Sequence, residues 1–65
     1  VATPAREDLI AALSDEEPFV RFNALTALFK QSPQILPTIA DFDSLLQDPH
    51  DRVRHHAHDL IEQAA

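Results

Sequence analysis

The sequence predicts an all-α fold of two stacked antiparallel helix pairs, with four main helices. An internal repeat places equivalent residues 33 positions apart, among them Asp15 and Asp48, Arg21 and Arg54, and Ala24 and Ala57. Such periods are typical of stacked arrays, in which each unit closes its core against a neighbour. The chain also has no glycine and no strand-like alternation of apolar and polar residues, which favours helices joined by proline and Asp or Ser turns.

The repeat divides one predicted domain, residues 1–65, into repeat one at about 3–30, a connector at 31–36 and repeat two at about 37–64. Helix one is predicted to begin with Thr3 as its N-cap and Pro4 as its first helical residue, and to end at about Leu13. Its apolar residues recur at helical spacing and predict one buried stripe: Ala5, Leu9, Ala12 and Leu13.

Helix two is predicted from Pro18 to Lys30, after a polar break at residues 14–17. One apolar seam of this helix consists of Val20, Ala24, Leu25 and Leu28. A second seam carries Phe22 and Phe29, so the helix is apolar over more than half of its circumference and is expected to make contacts on two sides. The three residues Phe19, Phe22 and Phe29 cannot all face one small core, and we expect at least one on an end face or groove.

Helix three is predicted to begin at Pro37 and to end at Asp48 and Pro49, with Phe42, Leu45 and Leu46 on its buried face. A proline deep inside a helix costs about 3 kcal/mol, which disfavours a helix running through from Pro33. Two alternatives stay open: a single extra turn opened by Ser32 and Pro33, and a longer kinked helix.

Helix four is predicted from His50 or Asp51 to about Gln63. Its apolar side comprises Val53, Ala57, Leu60, Ile61 and Ala64, and its polar side comprises His55, His58, Asp59 and Glu62. The remaining histidine, His56, lies at the edge of the apolar stripe. If it is partly buried against Leu60, its pKa should fall, and acid should destabilise the fold.

Composition limits the classes of function. Eleven acidic and five basic side chains give a formal charge of -6, which disfavours nucleic acid as a partner. No segment predicts a membrane span or a signal peptide, and without cysteine there is no disulfide or thiolate metal site. Location is not determined, with the cytoplasm slightly favoured. Because two repeats fall short of the three that usually suffice, we expect a piece of a longer solenoid, a terminal cap or a self-associating unit, and the missing initiator methionine fits a processed or excised piece.

The segments 13–25 and 46–58 resemble HEAT repeats, in particular the HEAT-like subfamily first named from phycobilisome lyases. Each has leucine, a turn aspartate, a proline-containing turn, Val-Arg and then alanine three residues on. The resemblance covers nearly the whole chain and implies a HEAT-like α-solenoid fragment. It also implies that turn aspartates and second-helix arginines form a ladder of hydrogen bonds between repeats, here Asp15, Arg21, Asp48 and Arg54.

The predicted function is non-catalytic protein–protein interaction or assembly, with no cofactor. The expected partner is a protein, a second copy of this chain or neighbouring repeats. By the resemblance, binding uses the surface of the second helices, and the candidates are Arg21, Phe22, Leu25, Phe29, Arg54, His55 and His58. The alternative is a metal-dependent or tetrapyrrole-lyase-related subunit, for which the spacing on helix four offers His55, His58, Asp59 and Glu62 as ligands.

Overall fold

The computed structural model describes residues 5–40 and 42–64. Within these ranges the chain forms five helices and no strands, which confirms the all-α prediction. The helices are α1 (Arg6–Ala12), α2 (Pro18–Gln31), a 3₁₀ helix (Pro33–Thr38), α3 (Phe42–Leu45) and α4 (Asp51–Ala64). Every described residue has a negative φ, as expected for a chain without glycine. Within the described ranges, no helix has the length and apolar character needed to cross a bilayer.

The start of α1 differs from the prediction. The predicted cap Thr3 and first helical residue Pro4 lie outside the described residues. The described helix begins at Arg6, and the backbone of Ala5 before it is extended. Ala5 is exposed rather than part of the buried stripe, because it precedes the helix and does not lie on its inner face.

The two long helices occupy equivalent places in the repeat. Both α2 and α4 have 14 residues, and they begin 33 positions apart, at Pro18 and Asp51. The two short α-helices also end 33 positions apart, at Ala12 and Leu45. The predicted bounds of the second and fourth helices are therefore correct to within one residue at each end.

The prediction for helix three was wrong at its beginning. Pro37 does not open an α-helix; it lies inside the 3₁₀ helix, which begins at Pro33 after Ser32. The backbone is extended at Ile39, two residues after Pro37, and this ends the 3₁₀ helix and separates it from the α3 segment. The extra turn at Ser32 and Pro33 is thus observed, the longer kinked helix is not, and α3 keeps only four residues.

The core draws on every helix. The buried apolar residues are Leu9, Leu13, Ala24, Leu25, Leu28, Leu36, Phe42, Leu45, Val53, Ala57 and Leu60. One predicted core residue is misplaced: Val20 is 37% exposed, whereas its repeat equivalent Val53 is 1% exposed. Val53 lies beside Phe22 of α2, and among the described elements α2 has no equivalent helix to cover Val20.

Candidate functional site

The two turns that precede the long helices share one local structure. In the first turn, Oδ1 of Asp15 accepts the backbone N–H of Glu17 at 2.9 Å. In the second, Oδ1 of Asp48 accepts the backbone N–H of His50, also at 2.9 Å. An aspartate that binds the N–H two residues on makes an Asx-turn, which suits a chain with no glycine for its turns. The turn aspartates predicted from the repeat therefore fix the entry into α2 and α4.

An arginine from each long helix returns to the turn before it. Nη1 of Arg21 donates to the carbonyl oxygens of Asp15 at 2.8 Å and Glu16 at 3.1 Å. Nη1 of Arg54 donates to the carbonyl oxygen of Asp48 at 3.0 Å. Each arginine thus binds the aspartate carbonyl six residues before it. The same hydrogen bond recurs in both units and satisfies turn carbonyls that precede the helices.

Arg21 also joins the two units. Its Nε and Nη2 donate to Oδ2 and Oδ1 of Asp48 at 2.8 and 2.9 Å, a bidentate ion pair between the two turns. The side chains of Arg21 and Asp48 are only 13% and 6% exposed. Of the four residues predicted for the ladder, these two meet across the units. Asp15 contributes its carbonyl oxygen to Arg21, and Arg54 stays within its own unit.

Arg54 completes its hydrogen bonds with Asp51. Its Nη2 donates to Oδ1 of Asp51, three residues earlier on α4. That hydrogen bond, together with the positive charge of Arg54, lowers the pKa of the Asp51 carboxyl. Both carboxylates that flank His50 in sequence, Asp48 and Asp51, are therefore bound to arginines of the fold.

Beside this charged network lies a groove of about 170 Å³ between the beginnings of the long helices. The α2–α4 groove is lined by Pro18, Phe19, Phe22 and Asn23 on one side and by His50, Arg52 and Val53 on the other. Phe19 is 70% exposed. Phe19 and Arg52 stand 33 positions apart, so equivalent positions of the two units supply an aromatic ring and a guanidinium to one groove.

The groove differs in charge from the chain as a whole. Its lining includes the cation Arg52 and the imidazole of His50 but no carboxylate, although the chain has a net charge of -6. The groove also lies at the first turns of α2 and α4, where the helix dipoles place partial positive charge. Glu17, which precedes α2, makes no side-chain cap there. The groove is consequently lined mostly by apolar side chains, together with the cation Arg52 and the imidazole of His50.

His56 supports the groove from behind. Its ring stacks on Phe22 at a centroid distance of 3.9 Å and an interplanar angle of 15°. Its Nε2 lies 2.7 Å from Oγ1 of Thr26, whose hydroxyl donates to the carbonyl oxygen of Phe22. Thr26 thus connects the imidazole of His56 to the backbone of α2.

Burial lowers the pKa of His56, opposed by the negative charge of Asp59, which raises it. The predicted direction of this pKa shift is confirmed. The side chain of His56 contacts Phe22 and Thr26 of α2, and the sequence did not indicate these contacts.

The predicted partner-binding residues fall into different environments. Leu25 is fully buried, so it belongs to the core and is removed from the predicted surface. Arg21 is bound to Asp48 and largely buried. Phe22 lines the groove, whereas Phe29 is half-buried against the core. The remaining three candidates lie on α4: Arg54 is half-buried, and His55 and His58 are exposed.

Apart from Phe19 and Phe22, the groove residues were not predicted from the sequence for a binding surface; these five are Pro18, Asn23, His50, Arg52 and Val53. One signal was available, because Arg52 shares its repeat position with Phe19, which had been recognised as a candidate for an exposed surface. In the structure these two equivalent positions lie close together, because both line the groove between α2 and α4.

The proposed metal ligands do not form a cluster. Among residues 5–40 and 42–64, no group of three or more His, Cys, Asp or Glu side chains is placed to hold a metal ion. Nε2 of His58 instead lies 3.0 Å from the carbonyl oxygen of Leu46. His55, Asp59 and Glu62 are exposed on the outer face of α4.

No protein-family model, curated protein or solved structure matches this chain. The turn network and the α2–α4 groove are thus the observations from which a function is inferred.

Proposed function

We propose that this chain is a non-catalytic module for protein–protein interaction or assembly, built on two HEAT-like repeats, and that it binds through the α2–α4 groove. The observation that carries the proposal is that Phe19, which lines this groove, is 70% exposed. Aromatic side chains dominate the energetics of protein interfaces because they bury a large area and lose few rotamers.

The repeat architecture is supported by the register of the helices and turns. The helices α2 and α4 have equal length at equivalent positions. An Asx-turn precedes each of them, and an arginine of each helix donates to a carbonyl oxygen of that turn. Arg21 then links one turn to the next through Asp48, the kind of contact that the HEAT resemblance implies.

A single exposed apolar residue is ordinary on a protein surface. Phe19 differs because it stands beside a groove that already contains Phe22, Pro18 and Val53. Phe22 is itself fixed by its stack on His56, so the floor of the groove is held in place before a partner arrives. Such pre-organisation reduces the entropy lost on binding. The groove is therefore suited to receive a side chain of another protein.

Display of random peptides tests the proposal. The chain is immobilised and used to select peptides, and the selected pool is then assayed on Phe19→Ser and on Val20→Ser. Val20 is the matched control, because it is an exposed apolar neighbour that does not line the groove. We expect enriched peptides that retain binding to Val20→Ser and lose it on Phe19→Ser. Self-association is measured in parallel by light scattering over a concentration series. A chain that enriches no peptide and stays monomeric at every concentration would refute the proposal.

A further inference from the structure

Resting on the proposed function, we infer the chemistry of the partner: the α2–α4 groove takes an acidic peptide segment in which a large apolar side chain stands next to carboxylates. The apolar side chain enters between Phe19, Phe22 and Val53, and the neighbouring carboxylates meet Arg52 and His50 at the edge.

The size and lining of the groove set the apolar part of this segment. Its volume of about 170 Å³ is close to that of the ~150 Å³ cavity known to accept a benzene ring. Rings and aliphatic side chains supply most of its surface, with Asn23 as a polar neighbour. One aromatic or leucine-sized side chain therefore fits, and a longer apolar stretch is not required.

The charge of the groove sets the acidic part. Arg52 is exposed, and the ion pairs of the described residues join Arg21 with Asp48 and Arg54 with Asp51, without involving Arg52. A carboxylate of a partner would find this guanidinium free for a bidentate hydrogen bond. The backbone N–H groups in the first turns of α2 and α4 add partial positive charge at the same edge, where the acidic residue of the first turn of α4, Asp51, is bound to Arg54.

The overall charge argues against two other occupants. A nucleic acid would bring many phosphates near a chain of charge -6, where only one guanidinium lines the groove. A second copy of the chain offers Glu17 beside Phe19, which has the chemistry required, but brings its own charge of -6. A short segment of a partner carries fewer negative charges than a second copy and therefore meets less of that repulsion.

Three fluorescent peptides of about seven residues test the inference by anisotropy. The first has leucine and phenylalanine flanked by aspartates, the second has the same apolar pair flanked by lysines, and the third replaces the apolar pair with serines. We expect the first peptide to bind at least tenfold more tightly than either of the others at low salt, and more weakly as salt is added.

Arg52→Glu should weaken the aspartate peptide about fivefold to tenfold and favour the lysine peptide. The control is Lys30→Glu, an equal charge reversal in the last turn of α2, about 16 Å along the helix from Phe19. It should leave the preference for the aspartate peptide unchanged. Far-ultraviolet circular dichroism verifies that both variants are folded.

The outcomes distinguish an error in the chemistry of the partner from an error in the proposed function. Enriched peptides that depend on Phe19 but are neutral or basic would overturn the acidic partner and leave the interaction module standing. A concentration-dependent dimer that Phe19→Ser returns to a monomer, with no binding of the aspartate peptide, would identify a second copy as the occupant and overturn the inference. If no peptide is enriched from the display library and light scattering gives the mass of a monomer at every concentration, both proposals are overturned.

Discussion

Replacing Asp48 with alanine removes the carboxylate that joins the two units. That carboxylate accepts Nε and Nη2 of Arg21 at 2.8 and 2.9 Å and the backbone N–H of His50 at 2.9 Å. The side chain of Arg21 is only 13% exposed, and the substitution leaves its guanidinium without an anionic partner. We therefore expect Asp48→Ala to destabilise the fold far more than the loss of a surface ion pair would.

The magnitude follows from burial. Removing one member of a fully buried ion pair costs about 3 to 5 kcal/mol. Arg21 retains some contact with water and keeps its hydrogen bonds to the carbonyls of Asp15 and Glu16, so a loss of about 3 kcal/mol, the low end of this range, is expected. A 65-residue domain has a free energy of unfolding of roughly 3 to 10 kcal/mol. Asp48→Ala should thus remove between a third and nearly all of the stability.

Urea denaturation followed by circular dichroism measures this loss, with Asp15→Ala as the matched control. Asp15 holds the equivalent turn position and binds the N–H of Glu17, but its carboxylate is exposed and is not paired with Arg21. Its removal should cost about 1 kcal/mol, as for the loss of a helix cap. If the two variants lose the same free energy to within about 0.5 kcal/mol, the bidentate pair contributes little and the reasoning fails.

Three further predictions concern pH, packing and the core. Burial lowers the folded-state pKa of His56, so below the ordinary histidine pKa of 6.5 the unfolded chain binds the proton first and stability falls. Urea denaturation from about pH 7.5 to 5 should show this fall, flattened in His56→Gln and retained in His55→Gln; a slope unchanged by His56→Gln would contradict it. A double-mutant cycle of Phe22→Ala and His56→Ala should give a coupling of about 1 kcal/mol from their stack, whereas additive losses would exclude it. Leu28→Ala should cost about 3 kcal/mol because Leu28 is fully buried, and Phe19→Ser should cost less than about 0.5 kcal/mol; similar melting temperatures would refute this contrast.

The long helices were predictable because their signals are local. Pro18 marks the first turn of α2, and both long helices carry apolar residues at spacings of three and four. The segment around Pro37 was not predictable in the same way. Proline is compatible with a helix start and with a 3₁₀ helix, and the choice depends on how the connector packs against the core through Leu36. Sequence periodicity does not contain that information.

Burial depended on neighbours as well as on residue type. Val20 and Val53 are identical residues at equivalent positions, yet only Val53 is covered. The lining of the groove was difficult to predict for the same reason, because it combines residues of α2 with the turn before α4 and the first residues of α4. Phe22 was a predicted binding residue, whereas His50 and Arg52 became candidates only when the spatial position of the two helices was known.

The double attachment of Arg21 has a consequence for how the molecule comes apart. A single guanidinium holds the turn before α2 through two carbonyl oxygens and the turn before α4 through a carboxylate. If either turn opens, Arg21 loses hydrogen bonds and holds the remaining turn less firmly. Unfolding of one unit therefore destabilises the other. Amide hydrogens of α2 and α4 should consequently exchange through one shared global unfolding event. The two repeats are then expected to unfold as a single cooperative unit and not independently.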